Sequence, residues 1–420
     1  MEMSLEGISM IIKGSTYING KYENCYIGIE NGKIDFVKKS LKTNEDVKNL
    51  EGVIIPAGID MHVHFRDPGM THKEDFYTGS VSAACGGITT VMDMPNTDPP
   101  TNSFQRLKKK IKMGEDKSVI DFGLYGLLSD EVDKMAELTD FFKVYMASST
   151  GDQQIDKEKL ESLLTQAYSH DLKVAFHCED EDLFNEVGKD LAGHNEHRPL
   201  KSEMRAIEKL KDQPDGDKYI CHLTSKKSLD KAADQGFLTE VTPHHLFLSE
   251  EAFLGPFGKV NPPLRKDRDR YSIWEAFERG EIDFIASDHA PHLEEEKDDF
   301  LEAPSGVPGV ETLYPLLLNA VSRGRIDLST VIEAVVLNPA KRLGLKRGKI
   351  KEGYDAELIN IDFRDTETID QEKLHYKCEW SPFEGFQGIF PKNVISKGEF
   401  LVKEKEFVGE KGTGEYIGDD

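Results

Sequence analysis

Val53-Ile54-Ile55-Pro56-Ala57-Gly58-Ile59-Asp60-Met61-His62-Val63-His64-Phe65-Arg66-Asp67-Pro68-Gly69 is the stretch that decides how the chain is read. The apolar run from Val53 to Ile59 is short enough for a buried strand. Residues i and i+2 of a strand point the same way. His62 and His64 therefore project together from the strand's end, two imidazoles aimed at one point, which is a metal-ligand geometry. The competing reading is a pair of structural histidines on one sheet face.

Outward from that stretch, apolar runs alternate with polar, helix-compatible segments. The predicted strands are Ile54–His62, Ile88–Met94, Asp121–Leu128, Phe142–Met146, Lys173–His177, Tyr219–Leu223, Thr239–Pro243 and Asp283–Ser287. Segments such as Lys157–His170 and Leu183–Leu191 are long enough for helices between them. Strand–helix alternation repeated over residues 58–345 predicts an α/β fold, a (β/α)8 barrel; a doubly wound sheet stays open on pattern alone. Residues 1–57 read instead as short strands, with Asn19-Gly20 and Asn31-Gly32 as type I′ hairpin signals. A helix ending at Leu343-Gly344 precedes further short strands at Ala356–Ile361, Val394–Ser396 and Glu399–Val402. The expected organisation is therefore a composite β-sandwich domain, from residues 1–57 plus 346–420, beside a catalytic barrel over 58–345. Glu410 to Asp420, with its three glycines, reads as a mobile tail.

Composition narrows the class. A chain of 420 residues, 38% hydrophobic and 9% aromatic, can bury a large core. Its net charge of -24 argues against nucleic acid or an anionic membrane as partner, since both need a basic patch. Five cysteines in no close spacing read as reduced thiols, and no long apolar run suggests a leader or a membrane span, so a cytoplasmic protein acting on a small molecule is expected. Nothing in the sequence encodes subunit number; a homo-oligomer is compatible with it.

The chemically capable residues gather at the strand ends: His62 and His64 on the first strand, Lys143 on the fourth, His177 on the fifth, His222 on the sixth, His244 and His245 on the seventh, and Asp288-His289-Ala290-Pro291-His292 on the eighth. In a barrel those ends share one rim. His62, His64, His177, His222 and Asp288 are too many ligands for one tetrahedral zinc and suit two ions. Two ions need a bridge. Lys143 could supply it, if burial and neighbouring cations favour its free amine, by taking up carbon dioxide as a carbamate. Otherwise Lys143 is an interior lysine paired with an acid. Asp152, in Thr150-Gly151-Asp152, is the rival bridge. His244 and His245 read as structural or supporting groups, and His72, His170, His194, His197 and His375 as surface or packing histidines.

Asp60-Met61-His62-Val63-His64-Phe65-Arg66-Asp67-Pro68-Gly69 and Ala286-Ser287-Asp288-His289-Ala290-Pro291-His292 resemble the two signature motifs of the dihydroorotase family, cyclic amidohydrolases of the amidohydrolase superfamily. Met94-Pro95-Asn96-Thr97, Val241-Thr242-Pro243-His244-His245-Leu246 and Val260-Asn261-Pro262-Pro263-Leu264-Arg265 match further, and the resemblance runs from about Gly52 to Asp362. It implies a distorted (β/α)8 barrel with two Zn²⁺ per subunit. His62, His64 and Asp288 would serve the more buried zinc, and His177 and His222 the second. Phe142-Lys143-Val144-Tyr145 resembles the branch of the family that bridges with a carboxylated lysine, whereas the surroundings of Asp152 do not resemble the aspartate branch.

The activity implied is reversible cyclisation of N-carbamoyl-L-aspartate to L-dihydroorotate in pyrimidine synthesis, with Asp288 as proton shuttle. The resemblance also implies substrate contacts from His64, Arg66, Asn96, Asn261, His292, Ser305 and Gly306. Arg66 offers a planar fork for the substrate carboxylate, unless it pairs with Asp67 or Glu74. Asn96 and Asn261 could equally be turn residues. Allantoinase and hydantoinase (dihydropyrimidinase) are the rivals of the same fold; Arg66 and His292 argue against them, because those substrates need no extra carboxylate receptor. A catalytically dead scaffold barrel is the rival of another class, and the full ligand set argues against it.

Overall fold

The structure, a computed structural model, describes residues 7–148 and 154–418. Both ends of the chain contribute to one eight-stranded sheet. Its N-terminal strands, Met10–Ile18, Lys21–Glu30, Lys33–Lys38 and Lys48–Pro56, join Leu358–Ile361, Asn393–Ser396, Glu399–Lys403 and Glu406–Phe407. The seam is antiparallel, with Ile359 opposite Ile55. Both predicted hairpins form, and their Asn-Gly pairs have positive φ throughout (49° and 80°, then 49° and 75°), as a type I′ turn requires.

The barrel is built from eight parallel strands: Gly58–Val63, Ile88–Asp93, Asp121–Leu124 continued by Gly126–Leu127, Phe141–Tyr145, Lys173–His177, Asp217–Ile220, Leu238–Val241 and Phe284–Ile285. A parallel bridge between Val63 and His289 links its first and last strands. Strand alternation sorts the side chains. Phe142, Val144, Val174, Phe176 and Ile220 pack outward against the helices. Phe141, Ala175, Tyr219 and Cys221 belong to a separate apolar cluster inside, with Ile59, Met61 and Met92. Lys143 and His177 share the parity of that inner set, so each chemical group stands above an apolar floor.

Three expectations need correction. The predicted strand Ile54–His62 is two strands: Lys48–Pro56 belongs to the mixed sheet and Gly58–Val63 to the barrel, with the chain changing sheets at Ala57. No helix spans Leu183–Leu191. A short 3-10 turn covers Glu181–Leu183, and the next helix, Leu191–His197, starts at an Asp190 cap. Gly188 lies so close to the Gly193 backbone that a Cβ there would sit 2.1 Å from a carbonyl carbon, so the chain turns back on the first turn of that helix. The tail is not loose through its described part. Gly412 and Gly414 donate to the Ser118 carbonyl oxygen, and Ile417 to that of Phe122. A Cβ on Gly414 would lie 1.9 Å from the Ile120 oxygen, so glycine there permits a close approach to the third barrel strand. No helix among the described residues is long and apolar enough to cross a membrane.

Candidate metal centre and active site

The rim of the barrel brings the expected residues to one cavity, lined by His62, His64, Arg66, Asn96, His177, His222, Asn261, Asp288, Ser305 and Gly306, together with Tyr145 and Ala290. The His62 and His64 rings lie 5.2 Å apart, His62 and His222 5.6 Å, and His177 and His222 4.7 Å. Asp288 Oδ1 is 3.3 Å from His62 Nε2 and 3.0 Å from His64 Nε2. Arg66, His222 and Asp288 all hold positive φ, at 60°, 41° and 48°. Non-glycine residues adopt that conformation at a cost and keep it where the surroundings impose it, as at ligand clamps.

Three of the four imidazoles, His62, His64 and His177, are oriented by a partner behind the ring. Glu240 Oε1 lies 2.9 Å from His62 Nδ1 and also accepts the His222 backbone N–H at 2.9 Å, while its other oxygen accepts from the Tyr219 hydroxyl. Asn96 Oδ1 faces His64 Nδ1 at 2.5 Å, leaving its amide N–H groups for the cavity. Glu179 Oε2 faces His177 Nε2 at 2.7 Å and is itself held by Arg198. Carboxylates and amides on the far nitrogen of a histidine fix its tautomer and aim the near nitrogen at a metal.

The electrostatics fit a cation as well. Burial pushes His64 down to about 3, a loss that Asp288 only partly offsets. Burial likewise lowers His177 and carries His222 well below the usual imidazole range, aided by His177 and Lys143. Burial works to raise Asp288, yet His62 and His64 hold it well below the usual carboxylate range. His62 is the exception: burial opposes its charge, but Glu240 and Asp288 prevail and push it up to about 10. A proton thus stands where a metal would bring charge, between two carboxylates. The donor atoms of His62, His64 and Asp288 all lie within 4.8 Å of one another, and His222 Nδ1 is buried with no hydrogen-bond partner. This donor set fits a divalent cation.

Lys143 is fully buried, with Nζ 2.9 Å from Cys221 Sγ and 5.2 Å from the Tyr145 ring centre. No carboxylate lies within ion-pair distance among the described residues, so the acid that an ordinary interior lysine needs is not there. Its charge acts on His62, His177 and His222 alike. Asp152 lies outside the described residues.

Arg66 is buried, 2% exposed, and likewise has no carboxylate partner among the described residues. Asp67 pairs with Lys117 at 2.5 Å, and Glu74 takes Thr78, which removes both alternatives raised from the sequence. Among the described residues the guanidinium reaches the Pro291 carbonyl oxygen at 3.2 Å and His292 Nε2 at 3.1 Å. Lys73, an ammonium paired with Glu296 at 2.6 Å, lies 3.1 Å from His292 Nδ1. A lysine ammonium only donates, so Nδ1 accepts and the His292 proton sits on Nε2, beside Arg66 and 3.2 Å from the Ser305 carbonyl oxygen. Arg66 and the His292 Nε2–H are then neighbouring donors 3.1 Å apart, side by side, a pair that suits one anion accepting from both.

His194 is corrected from a packing histidine to a site neighbour. It is buried, and its Nε2 lies 3.0 Å from Asn261 Oδ1, which leaves the Asn261 amide N–H groups free to face the cavity. His245 is satisfied by Thr242 and the Pro262 carbonyl oxygen, as a structural histidine should be. Glu240, Glu179 and Cys221 were missed from the sequence, although a charged residue in the middle of Leu238–Val241 was a visible signal.

The amidohydrolase family model matches residues 53–401. A dihydroorotase from Methanosarcina acetivorans is 40% identical, covering 96% of this chain and 93% of the relative. A dihydroorotase from Pyrococcus furiosus is 34% identical over 98% of this chain and 96% of its own length. Among solved structures, an L-hydantoinase (dihydropyrimidinase) from Arthrobacter aurescens superposes with a TM-score of 0.91 at 25% identity, covering 97% of this chain and 99% of that one. A D-hydantoinase (dihydropyrimidinase) from Thermus sp. does so with 0.87 at 26%, covering 97% and 98%. With the fold, the imidazole rim and near-full-length similarity in agreement, the chain belongs to the amidohydrolase family.

Proposed function

We propose that this chain is a dihydroorotase, interconverting N-carbamoyl-L-aspartate and L-dihydroorotate in pyrimidine synthesis at a pair of zinc ions. The observation that carries the reading is Arg66, a buried guanidinium without a carboxylate partner among the described residues, opening on the imidazole-lined cavity. A buried cation needs a counter-charge, and a ring substrate bearing a carboxylate brings one. Hydantoin and dihydrouracil rings bring none. The dihydroorotase names of relatives at 34 to 40% identity support the same choice over the hydantoinase reading suggested by structural neighbours at 25 to 26%.

In this reading His62, His64 and Asp288 would hold one zinc and His177 and His222 the other, and Lys143, as its carbamate, would be the ligand they share. That no carboxylate among the described residues lies within ion-pair distance of Lys143 supports that bridge. Bound zinc supplies Lewis-acid polarisation of a carbonyl and acidifies water near neutral pH. The chain's own residues do the rest. Arg66 and His292 Nε2–H hold the substrate carboxylate as paired donors, joined by the Asn96 amide. Asn261 reads the ring edge, backbone groups of Ser305 and Gly306 close over it, and His64 contacts both metal and substrate. Asp288, held ionised by its imidazole neighbours, takes a proton from water and delivers it to the departing ring nitrogen. We assign this chemistry to a barrel over residues 58–345, with 1–57 and 346–420 as a composite β-domain. All five cysteines are free, which fits a cytoplasmic enzyme.

The test is the metal-loaded protein incubated with N-carbamoyl-L-aspartate. Loss of one water to give L-dihydroorotate, and the reverse reaction from the product side, are expected. A folded, metal-loaded protein that converts neither compound would overturn the reading.

A further inference from the structure

We propose that Cys85, His375 and Glu311 form a second cation site, selective for a thiophilic divalent ion of the zinc class, in a cleft outside the imidazole rim. The three residues come from three separate segments. Cys85 ends the helix Phe76–Cys85, Glu311 lies just before the helix Leu313–Ser322, and His375 follows the 3-10 turn Gln371–Lys373. Their donor atoms all lie within 4.8 Å of one another. The histidine reading that placed His375 in no constellation is therefore corrected.

Glu311 is 2% exposed and clamps His375 twice: one oxygen accepts the backbone N–H at 2.8 Å, the other faces Nδ1 at 2.8 Å. With Nδ1–H given to the carboxylate, Nε2 keeps its lone pair, and it lies 3.7 Å from Cys85 Sγ. That is the carboxylate–histidine arrangement that orients a metal-binding imidazole. The spacing suits one ion: tetrahedral bonds of about 2.3 Å to sulfur and 2.05 Å to nitrogen put the two ligand atoms about 3.6 Å apart. The cleft is also lined by Glu367, Asp370 and Glu406. Glu367 pairs with Lys405 and Asp370 with Lys373, whereas Glu406 has no ion pair among the described residues. Burial, with Glu311 and Glu406 adding to it, raises the Cys85 thiol well above its usual range, and Glu311, with Glu406, raises His375, so negative charge surrounds the pair. Sulfur with imidazole nitrogen favours a borderline-soft ion over magnesium or calcium. Binding exchanges the Cys85 S–H bond for a sulfur–metal bond and releases that proton to solvent.

The test titrates enzyme loaded with only the two zinc equivalents of the rim with Cd²⁺ and reads the ultraviolet thiolate-to-cadmium charge-transfer band, bound cadmium and released protons. One further equivalent, with the band and one proton, is expected. Cys85→Ser and His375→Gln each lose the band, and Glu311→Gln keeps it with an affinity about 10- to 100-fold weaker. Turnover by His375→Gln stays at the parent level. Because Cys85 is buried and its replacement could fail to fold, the half-exposed His375 carries the test by itself. A band unchanged in His375→Gln, or one lost only in Cys221→Ser, overturns the site.

Discussion

Arg66→Met separates substrate recognition from every other role of the rim. The guanidinium is buried and ion-pair-free among the described residues; it donates to the Pro291 carbonyl oxygen and lies beside the His292 Nε2–H. Removing one partner of a buried, hydrogen-bonded charge pair costs roughly 2 to 5 kcal/mol. Taking about 3 kcal/mol for the bound carboxylate, kcat/KM for L-dihydroorotate falls about 150-fold. The fold reacts in the opposite sense. The substitution deletes an unpaired buried charge and forfeits little beyond a hydrogen bond worth about 1 kcal/mol, so the unfolding midpoint stays within a few degrees of the parent or rises. The assay compares turnover of L-dihydroorotate with turnover of dihydrouracil, however slow, in parent and variant. The first falls steeply and the second does not. An equal fall on both rings, or a large loss of stability, refutes a carboxylate receptor and returns Arg66 to a structural role.

Asp288→Asn should lower kcat by about 10²- to 10⁴-fold, the usual worth of a positioned acid–base group, with circular dichroism unchanged; retained activity removes Asp288 as the shuttle. Lys143→Ala should lose most turnover and lower the zinc content measured by elemental analysis, with partial rescue by short carboxylic acids. If Lys143→Ala is silent and Asp152→Ala suffers that loss, the bridge is reassigned to Asp152. Lys73→Met frees His292 to carry its proton on either nitrogen, so KM for L-dihydroorotate should rise more than kcat falls; a pure kcat effect contradicts the tautomer argument. Burial, with Lys259 and Arg66 adding to it, pushes Lys297 down to about 7, while the unfolded lysine titrates near 10.4. Between those values the unfolded chain binds more protons, so stability rises with pH by up to about 1.4 kcal/mol per unit. Urea titrations at several pH values should show that slope in the parent and its loss in Lys297→Met; the same slope in both excludes Lys297 as its source.

Local patterns carried much of this structure. The i, i+2 spacing of His62 and His64 already put two imidazoles on one side of a strand, and their rings do lie 5.2 Å apart. Asn19-Gly20 and Asn31-Gly32 announced their hairpins by turn chemistry alone. What stayed hidden depends on contacts distant in sequence. Pro56 and Gly58 flank Ala57 as breakers, but which sheet each strand joins is set by partners distant in sequence, Leu358–Ile361 on one side and Ile88–Asp93 on the other. The tail looked mobile because it is rich in glycine, yet Gly414 is there for a close approach to Ile120. Glu240 carries no local signature because its task, aiming His62, exists only once barrel closure brings the first and seventh strands to either side of the eighth. His194 and His375 look bland in the sequence for the same reason: Asn261 is 67 residues from the first, and Glu311 and Cys85 are 64 and 290 from the second.

The most direct test of the account is a substrate panel on the zinc-loaded protein: L-dihydroorotate, allantoin and dihydrouracil, each at equal concentration, with initial rates compared. Hydrolysis of L-dihydroorotate far above the other two is the predicted result. Hydrolysis of allantoin or dihydrouracil without L-dihydroorotate contradicts the proposal that Arg66 and His292 select a carboxylated ring.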